Sequence, residues 1–562
     1  MKTMSGGQAA VAALQAEGVE HVFGLIGSAT MEMFDALYDA REIRFIGVHD
    51  ERTGSHMADG YARASGRAGV ILAGQNGPGA TNLVTGLGQA AAAFSPLVSI
   101  AGALSSEHLY RNAFQEVDQQ ALFTPVTKKT WTATSAARVP EMFREAFRVA
   151  MAPRRGPVQL NLPRDVLSAS ADFDALPGPD AYRPCSAPAA ASDAIERAAQ
   201  LLADAERPLI IAGGGIKNSA AHEAVLALAE ALDAPIATAP GHGDAIPFGQ
   251  PLNAGQMGPR GNPVASRLAR EADVILALGT RLGFNSTFYS YDNLNRDAAI
   301  IQVEIEPTAL GRYFPVALGI WADAGSAARQ LLAALDKQQR RAAAEAWSRA
   351  YRAERSDYLA RRDAEADSRE APIQPSGLFK SLRGVLPRDA AITMDAGTLC
   401  LQATDALDYW QPPSLFTPLD FGLVGFSFAC GLGVKVARPE RPVVSLMGDG
   451  GFGMTLSELS TAVDHGIDTV TVVMNNRCWG AEKAYQRDFF AGRYIGADIS
   501  SPPFDKVAEL YGAAGFRAER LCEVPAAVEA ALACGRPAVV DVAVDPAALY
   551  SFRRDSFKHR GG

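Results

Sequence analysis

Two short stretches carry residue types suited to binding a metal and an anion. Gly448-Asp449-Gly450 follows an apolar run at 442–447, and Asn475-Asn476 follows a β-branched apolar run at 469–474. Between them, Thr455-x-x-Glu458 has the form of a helix capping box, and Gly466 stands where a helix should close. The pattern predicts strand, helix, strand, with a right-handed crossover and two parallel strands. Both strands then end at one sheet edge, where open α/β sheets bind ligands. Asp449 and Asn476 should therefore be neighbours. A carboxylate and an amide oxygen are hard ligands, suited to Mg²⁺ or Ca²⁺ beside diphosphate oxygens and water. Gly448, Gly450, Gly451 and Gly453 leave room for backbone N–H groups to approach a phosphate.

Other residues could do chemistry. Glu51 follows a strand-like run at 44–48, ahead of a helix through His56 and Arg63. Gln75-Asn76-Gly77-Pro78-Gly79 follows another strand, at 69–73, and opens a helix containing Asn82. Gln115 lies in Asn112-Ala113-Phe114-Gln115-Glu116, and Glu482 stands six residues beyond Asn476. Arg111, Arg477, Lys483 and Arg487 are candidate partners for a substrate anion.

These residues need a scaffold of several α/β units. The chain has 562 residues, too many for one core. Strand-length runs alternate with helical stretches in three blocks: residues 1–172, 190–336 and 374–550. The fold class expected is α/β, with three doubly wound parallel-sheet domains. Residues 172–192, rich in Pro, Ala, Asp and Ser, read as a linker. Residues 337–370, rich in Ala, Arg and Glu, read as a solvated helix and linker. The middle block has strands at 208–212, 274–278 and 300–304, and the first of them leads into Gly213-Gly214-Gly215. That triplet lacks the spacing of a dinucleotide fingerprint.

Composition narrows the function classes. Hydrophobic content of 48% and charged content of 20% suit a soluble globular protein. A net charge of −9 argues against a nucleic-acid partner. The six cysteines are scattered, without metal or disulfide spacing, as in a reducing compartment. No stretch has the form of a signal peptide or the length of an apolar membrane span. The expectation is a cytoplasmic protein with neither membrane nor nucleic acid as a partner.

Taken together, the motifs resemble thiamine diphosphate-dependent enzymes of the acetolactate synthase superfamily. The Gly448-Asp449-Gly450…Asn475-Asn476 pattern is similar to that family's diphosphate-binding motif. Glu51 with His56-Met57-Ala58-Asp59-Gly60-Tyr61-Ala62-Arg63, then Asn76 to Gly86, resembles its pyrimidine-binding domain. The resemblance spans about residues 5–545 and implies thiamine diphosphate and Mg²⁺ as cofactors. It implies that Asp449, the Asn476 side chain and the Cys478 carbonyl hold the metal. It implies cofactor contacts from Glu51, Pro78, Asn82, Gly397, Thr398, Val424, Gly450 and Gly451. Val424 is the apolar wedge beneath the bent cofactor, smaller than the usual Met, Leu or Ile. In the family the glutamate matching Glu51 hydrogen-bonds the aminopyrimidine, and the resemblance makes Gln115 a candidate to bond a substrate carbonyl. Glu482 matches the carboxylate that faces the reacting intermediate in pyruvate-decarboxylase-like enzymes. The central domain binds FAD or an adenine nucleotide in some members and nothing in others; Arg260 and Arg281 are the candidate contacts. The first and third domains of different subunits share each cofactor, so a homodimer or homotetramer is implied.

Three stretches, at 24–29, 75–79 and 476–489, look more like sulfoacetaldehyde acetyltransferases than acetolactate synthases. The implied reaction converts sulfoacetaldehyde and phosphate to acetyl phosphate and sulfite. A carboligase or decarboxylase of 2-oxo acids is the alternative, and a non-catalytic paralogue keeping the fold is the second. Two features depart from the acetyltransferase pattern: Asp50 precedes the glutamate where His is usual, and Arg52-Thr53-Gly54-Ser55 follows it.

Overall fold

The computed structural model describes residues 1–335, 342–552 and 559. It contains three six-stranded sheets whose neighbouring strands all pair in parallel. In the first, the spatial order is Arg44–Gly47, His21–Leu25, Gly69–Ala73, Leu97–Ala103, Val158–Pro163, Thr130–Thr132. The second runs Asn253–Gln256, Ile236–Thr238, Pro208–Ala212, Val274–Leu278, Ala299–Glu304, Leu318–Trp321. The third runs Leu415–Phe416, Ala391–Met394, Val443–Gly448, Val470–Asn475, Ala538–Ala543, Ala514–Ala518. In each sheet the chain moves to one edge, then returns to the middle and continues the other way. That reversal leaves a crevice between the ends of two central strands.

The central strands are the ones legible as apolar runs, because helices cover both faces. Several edge strands escape such a reading. Thr130–Thr132 and Leu415–Phe416 are too short to show a pattern, and Asn253–Gln256 has almost no apolar residues. Lys2–Ser5 and Ser170–Phe173 form an antiparallel pair, so the expected linker begins inside a strand.

Two local expectations are corrected. Thr455 does not cap the helix that follows; its hydroxyl donates to the Phe452 carbonyl, and the helix runs Glu458–Asp464 without a side-chain cap. Glu458 turns instead to the first domain. Its carboxylate accepts from the His49 N–H at 3.1 Å, the Thr53 hydroxyl at 2.5 Å and the Thr461 hydroxyl at 2.7 Å. Gly466 closes the helix as expected, with φ at 61°. The helix Ala342–Ala364 is also not simply solvated. Ser348 and Tyr351 are fully buried, the Trp347 indole donates to the Pro208 carbonyl, and the Tyr358 hydroxyl donates to Asp405. It straps the second domain to the third. The charge pattern hid this because the buried face is narrow. The start of that stretch, residues 337–341, lies outside the described residues.

The first and third domains share one apolar cluster. Met57 and Ile46 from one side meet Phe428, Leu432 and Phe452 from the other. Phe452 packs edge-on against Phe428 and Phe504, with ring centroids 5.4 and 5.2 Å apart. At its centre the helices Glu51–Ser65 and Ser427–Ala437 cross with their backbones in contact. A Cβ on Gly433 would lie 1.8 Å from the Met57 carbonyl oxygen, and one on Gly60 would lie 2.2 Å from that of Cys430. Only glycine permits this approach. Gly433→Ala should therefore force the helices apart and lower stability by about 1–3 kcal/mol. Thermal unfolding of the variant checks this; an unchanged midpoint would refute the close crossing.

Candidate functional site

The three crevices differ in whether they are open. In the first sheet, a Cβ on Gly74 would lie 2.1 Å from the Gly27 nitrogen. In the second, a Cβ on Gly213 would lie 2.4 Å from the Gly279 oxygen. Those pairs of turns touch. In the third sheet, Gly397 and Gly448 have nothing within 4 Å of a built Cβ. The crevice between Ala391–Met394 and Val443–Gly448 is free to receive a ligand.

Asp449 begins the short helix Asp449–Gly453 directly after its strand, and Asn476 directly follows the neighbouring strand Val470–Asn475. The crossover brings them together as the spacing predicts. The inward atom of the Asn476 amide lies 3.2 Å from Asp449 Oδ1 and 3.0 Å from the Cys478 carbonyl oxygen. With its nitrogen turned inward, Asn476 donates to both. With its oxygen turned inward, three oxygens converge, which is repulsive unless a cation lies among them. The donor set is all oxygen, which suits Mg²⁺. The other Asp449 oxygen accepts from the Ser501 hydroxyl. Burial raises the Asp449 carboxyl above the ordinary range, and the Ser501 bond opposes that.

The surrounding turns form an anion cradle. Gly397, with φ at 113°, ends the Ala391–Met394 turn in a conformation closed to other residues. The Thr398 hydroxyl is buried and finds no partner among the described residues, so it is available to a ligand. A Cβ on Gly450 would lie 2.5 Å from the Trp479 ring, and one on Gly451 would lie 2.1 Å from Asp395 Oδ2. These glycines are required by contact.

Asp395 has a role here that the sequence analysis did not assign. Its buried carboxylate accepts from the Gly425 N–H at 2.9 Å and the Phe426 N–H at 2.8 Å. That pair fixes the turn carrying Val424, whose Cγ1 lies 3.3 Å from a Cβ built on Gly451. Val424 therefore lies beside the glycines of the cradle. Ser501 was missed altogether, because its partner Asp449 is 52 residues away.

One cavity is lined by Asp395, Gly397, Thr398, Val424, Asp449, Gly450, Gly451, Asn476, Cys478 and Glu482. Glu482 sits in the first turn of the helix Gly480–Phe489. The cavity continues to the central domain, where it meets Gly214, Gly215, Arg260 and Arg281. Arg154 and Arg281 lie over the Phe94 ring, 4.2 and 4.6 Å from its centroid. The four bases proposed for a substrate anion do not line it. Lys483 pairs with Asp498, Arg487 pairs with Asp488, and Arg111 and Arg477 are exposed.

Glu51, Pro78, Asn82 and Gln115 form a second group that does not line this cavity. Glu51 starts the helix Glu51–Ser65, is 4% exposed, and accepts from the Asn82 amide at 3.0 Å. Burial raises its carboxyl above the ordinary range; the Asn82 bond lowers it in part. Such a group keeps its proton closer to neutral pH than a solvated glutamate does.

Asp395 gives the site a pH signature. Burial pushes its carboxyl up to about 6 in the folded chain, against about 4 unfolded. Because the folded value is the higher one, its contribution to stability is full at about pH 4 and is lost as pH rises through about 6. Asp395→Asn leaves one backbone N–H facing an amide N–H₂, at a cost of about 1–3 kcal/mol. The loss in thermal midpoint relative to wild type should be larger at about pH 4 than at about pH 7. Equal losses at both would show that Asp395 does not titrate as described.

Comparison with known proteins bears on all three domains. Residues 4–122 match the thiamine pyrophosphate enzyme N-terminal TPP binding domain, 195–331 the central domain, and 395–542 the C-terminal TPP binding domain. A sulfoacetaldehyde acetyltransferase of Castellaniella defragrans is 34% identical over 99% of this chain and 96% of its own. A probable acetolactate synthase large subunit of Methanocaldococcus jannaschii is 34% identical over 97% of this chain and 92% of its own. The acetolactate synthase large subunit of Haemophilus influenzae is 30% identical over 97% of this chain and 95% of its own. With all three domains matched in order on three parallel sheets, the chain belongs to the thiamine pyrophosphate enzyme family, and it is an enzyme of that family that depends on thiamine diphosphate.

Proposed function

We propose that this enzyme is a Mg²⁺-dependent acyltransferase that converts sulfoacetaldehyde and phosphate to acetyl phosphate and sulfite. The observation that carries the cofactor site is the open third crevice, where Asp449, Asn476 and the Cys478 carbonyl converge. In this reading those three groups hold Mg²⁺. Gly397, Thr398, Gly450 and Gly451 would receive the diphosphate, and Val424 would pack against the bound cofactor. Thiamine diphosphate, when bound, supplies the carbon at which an aldehyde or 2-oxo acid becomes an acyl donor. Glu51, with Pro78 and Asn82 beside it, binds the aminopyrimidine. Its buried carboxyl holds a proton that it can pass to a ring nitrogen. Glu482 faces the cavity and can move a proton to or from the substrate. Gln115 bonds the substrate carbonyl.

The choice of sulfoacetaldehyde rests on the stretches at 24–29, 75–79 and 476–489, which include Asn76 and Glu482, and on several relatives that bear the acetyltransferase name. Acetolactate synthase relatives of similar identity keep a 2-oxo acid carboligase as the second reading. The separation of the Glu51 group from the Asp449 cavity within one chain favours a site completed by a second copy, in a homodimer or homotetramer. Arg260 and Arg281, with the glycines at 214 and 215, suit an adenine nucleotide or FAD in the central domain. This reading keeps the domain divisions at 172, 190, 336 and 374, with one six-stranded sheet in each domain as their support. No helix among the described residues is long and apolar enough to cross a membrane. The six cysteines are all free, which agrees with a cytoplasmic location.

The deciding experiment incubates the purified protein with thiamine diphosphate and Mg²⁺. Sulfite and acetyl phosphate are measured with sulfoacetaldehyde and phosphate, and CO₂ with pyruvate. The first pair should appear, and Glu51→Gln should lower it at least about 100-fold. CO₂ release without sulfite would replace this reading with the second one.

Asp449→Ala should abolish the Mg²⁺ dependence of cofactor binding, because Asp449 would be the charged ligand that holds the ion. Titration with thiamine diphosphate at several Mg²⁺ concentrations checks it. An unchanged affinity would put the metal elsewhere.

A further inference from the structure

The turn at Gln75-Asn76-Gly77 touches two loops at the edge of the first sheet. The Asn76 side chain is 6% exposed, and its amide donates to the Gln115 backbone carbonyl at 3.1 Å. Gly77 completes the contact: a Cβ there would lie 2.8 Å from both the Cβ and the carbonyl oxygen of Gln115. Gln115 itself has φ at 64°, in the left-handed region that a glutamine seldom enters unaided. On the other side, the Gln75 amide oxygen accepts from the Ala29 N–H at 3.1 Å and from the Ser28 hydroxyl at 3.2 Å. The loop carrying Gln115 is braced again by Glu116, whose carboxylate accepts from the Tyr110 N–H at 2.6 Å and the Ala113 N–H at 2.9 Å.

The same turn leads into the helix that meets Glu51. The Gly79 N–H donates to the Asn76 carbonyl at 3.2 Å, and a Cβ on Gly79 would lie 2.9 Å from Glu51 Oε1. The Glu51 carboxyl therefore packs against the same short turn that carries the residue holding Gln115. Left free, a surface loop with Tyr110 at 96% and Phe114 at 84% exposure has little packing to fix it.

We propose that Asn76 is a positioning residue: its amide clamps the Gln115 backbone and so sets where the Gln115 side chain stands relative to Glu51. The inference rests on the reading that Gln115 bonds the substrate carbonyl. Asparagine suits the task because it reaches one bond further than serine and donates where aspartate would repel. The substrate-side geometry is then set by the residue at 76 without that residue touching the substrate.

The test uses the full-length protein with thiamine diphosphate and Mg²⁺, and compares wild type, Asn76→Asp, Asn76→Ser, Gln115→Gly and the Asn76→Asp/Gln115→Gly double variant. Gly at 115 keeps the left-handed backbone and removes the amide. Hydrogen exchange of amides 110–117 should be at least tenfold faster in both Asn76 variants. Their kcat/KM with sulfoacetaldehyde should fall at least tenfold, while thiamine diphosphate affinity stays within twofold. The double variant should be no worse than Gln115→Gly. Unchanged exchange in both Asn76 variants overturns the clamp. A further tenfold loss on adding Asn76→Asp to Gln115→Gly shows that Asn76 acts elsewhere, and also overturns it. If wild type turns over neither sulfoacetaldehyde nor pyruvate, the proposed reaction fails, and the exchange measurement alone decides the clamp.

Discussion

Oxygen atoms repel one another at short range, and the site at Asp449 is built around that fact. The Asn476 amide lies within 3.2 Å of a carboxylate oxygen and a carbonyl oxygen. Such a cluster is stable if the amide nitrogen faces inward, or if a cation takes the centre. The neighbours restrict both solutions. Ser501 donates to the second Asp449 oxygen and so holds the carboxylate in its orientation, and the Trp479 ring lies against Gly450. The parallel strands Val443–Gly448 and Val470–Asn475 fix the separation of the two side chains. Asp395 then ties the Val424 turn to the same edge through two backbone bonds. The electrostatic problem at three atoms thus draws in residues from five separated parts of the third domain.

The same strand topology occurs three times, and the strand-end turns touch in two of the sheets but not at Gly397 and Gly448 in the third. In the first sheet Gly27 and Gly74 meet, and in the second Gly213 and Gly279 meet. Their glycines allow turns to pack on each other. In the third sheet Gly397 and Gly448 allow the turns to stay apart. Glycine at a strand end is therefore ambiguous by itself: it permits close approach, and the approaching group can be protein or ligand.

That ambiguity marks how far the sequence could be read. The three α/β blocks were legible because their central strands are buried on both faces and appear as unbroken apolar runs. Asp449 and Asn476 were legible because a crossover of known hand places strand ends together. Glu458 was misread. Its spacing from Thr455 suits a cap, but Thr53 and the His49 N–H, some 400 residues away in sequence, offer a buried carboxylate more than the helix end does. Asp395 and Ser501 gave no signal, since each acts through a partner that only the fold brings near. The helix Ala342–Ala364 was read as solvated because Tyr351 and Ser348 are few among many charges.

The crossing at Gly60 and Gly433 has a mechanical consequence. Packed helices slide past one another by small shifts of interdigitated side chains. Here no side chain intervenes: peptide groups rest directly on peptide groups, and Glu458 pins the same two domains beside Thr53. Neither shear nor hinge bending is available at that junction without breaking backbone contact. The first and third domains of one chain are therefore expected to travel as a rigid body. Any movement that admits a ligand is left to shorter pieces, such as the segment around Trp479, or to the relation between whole chains.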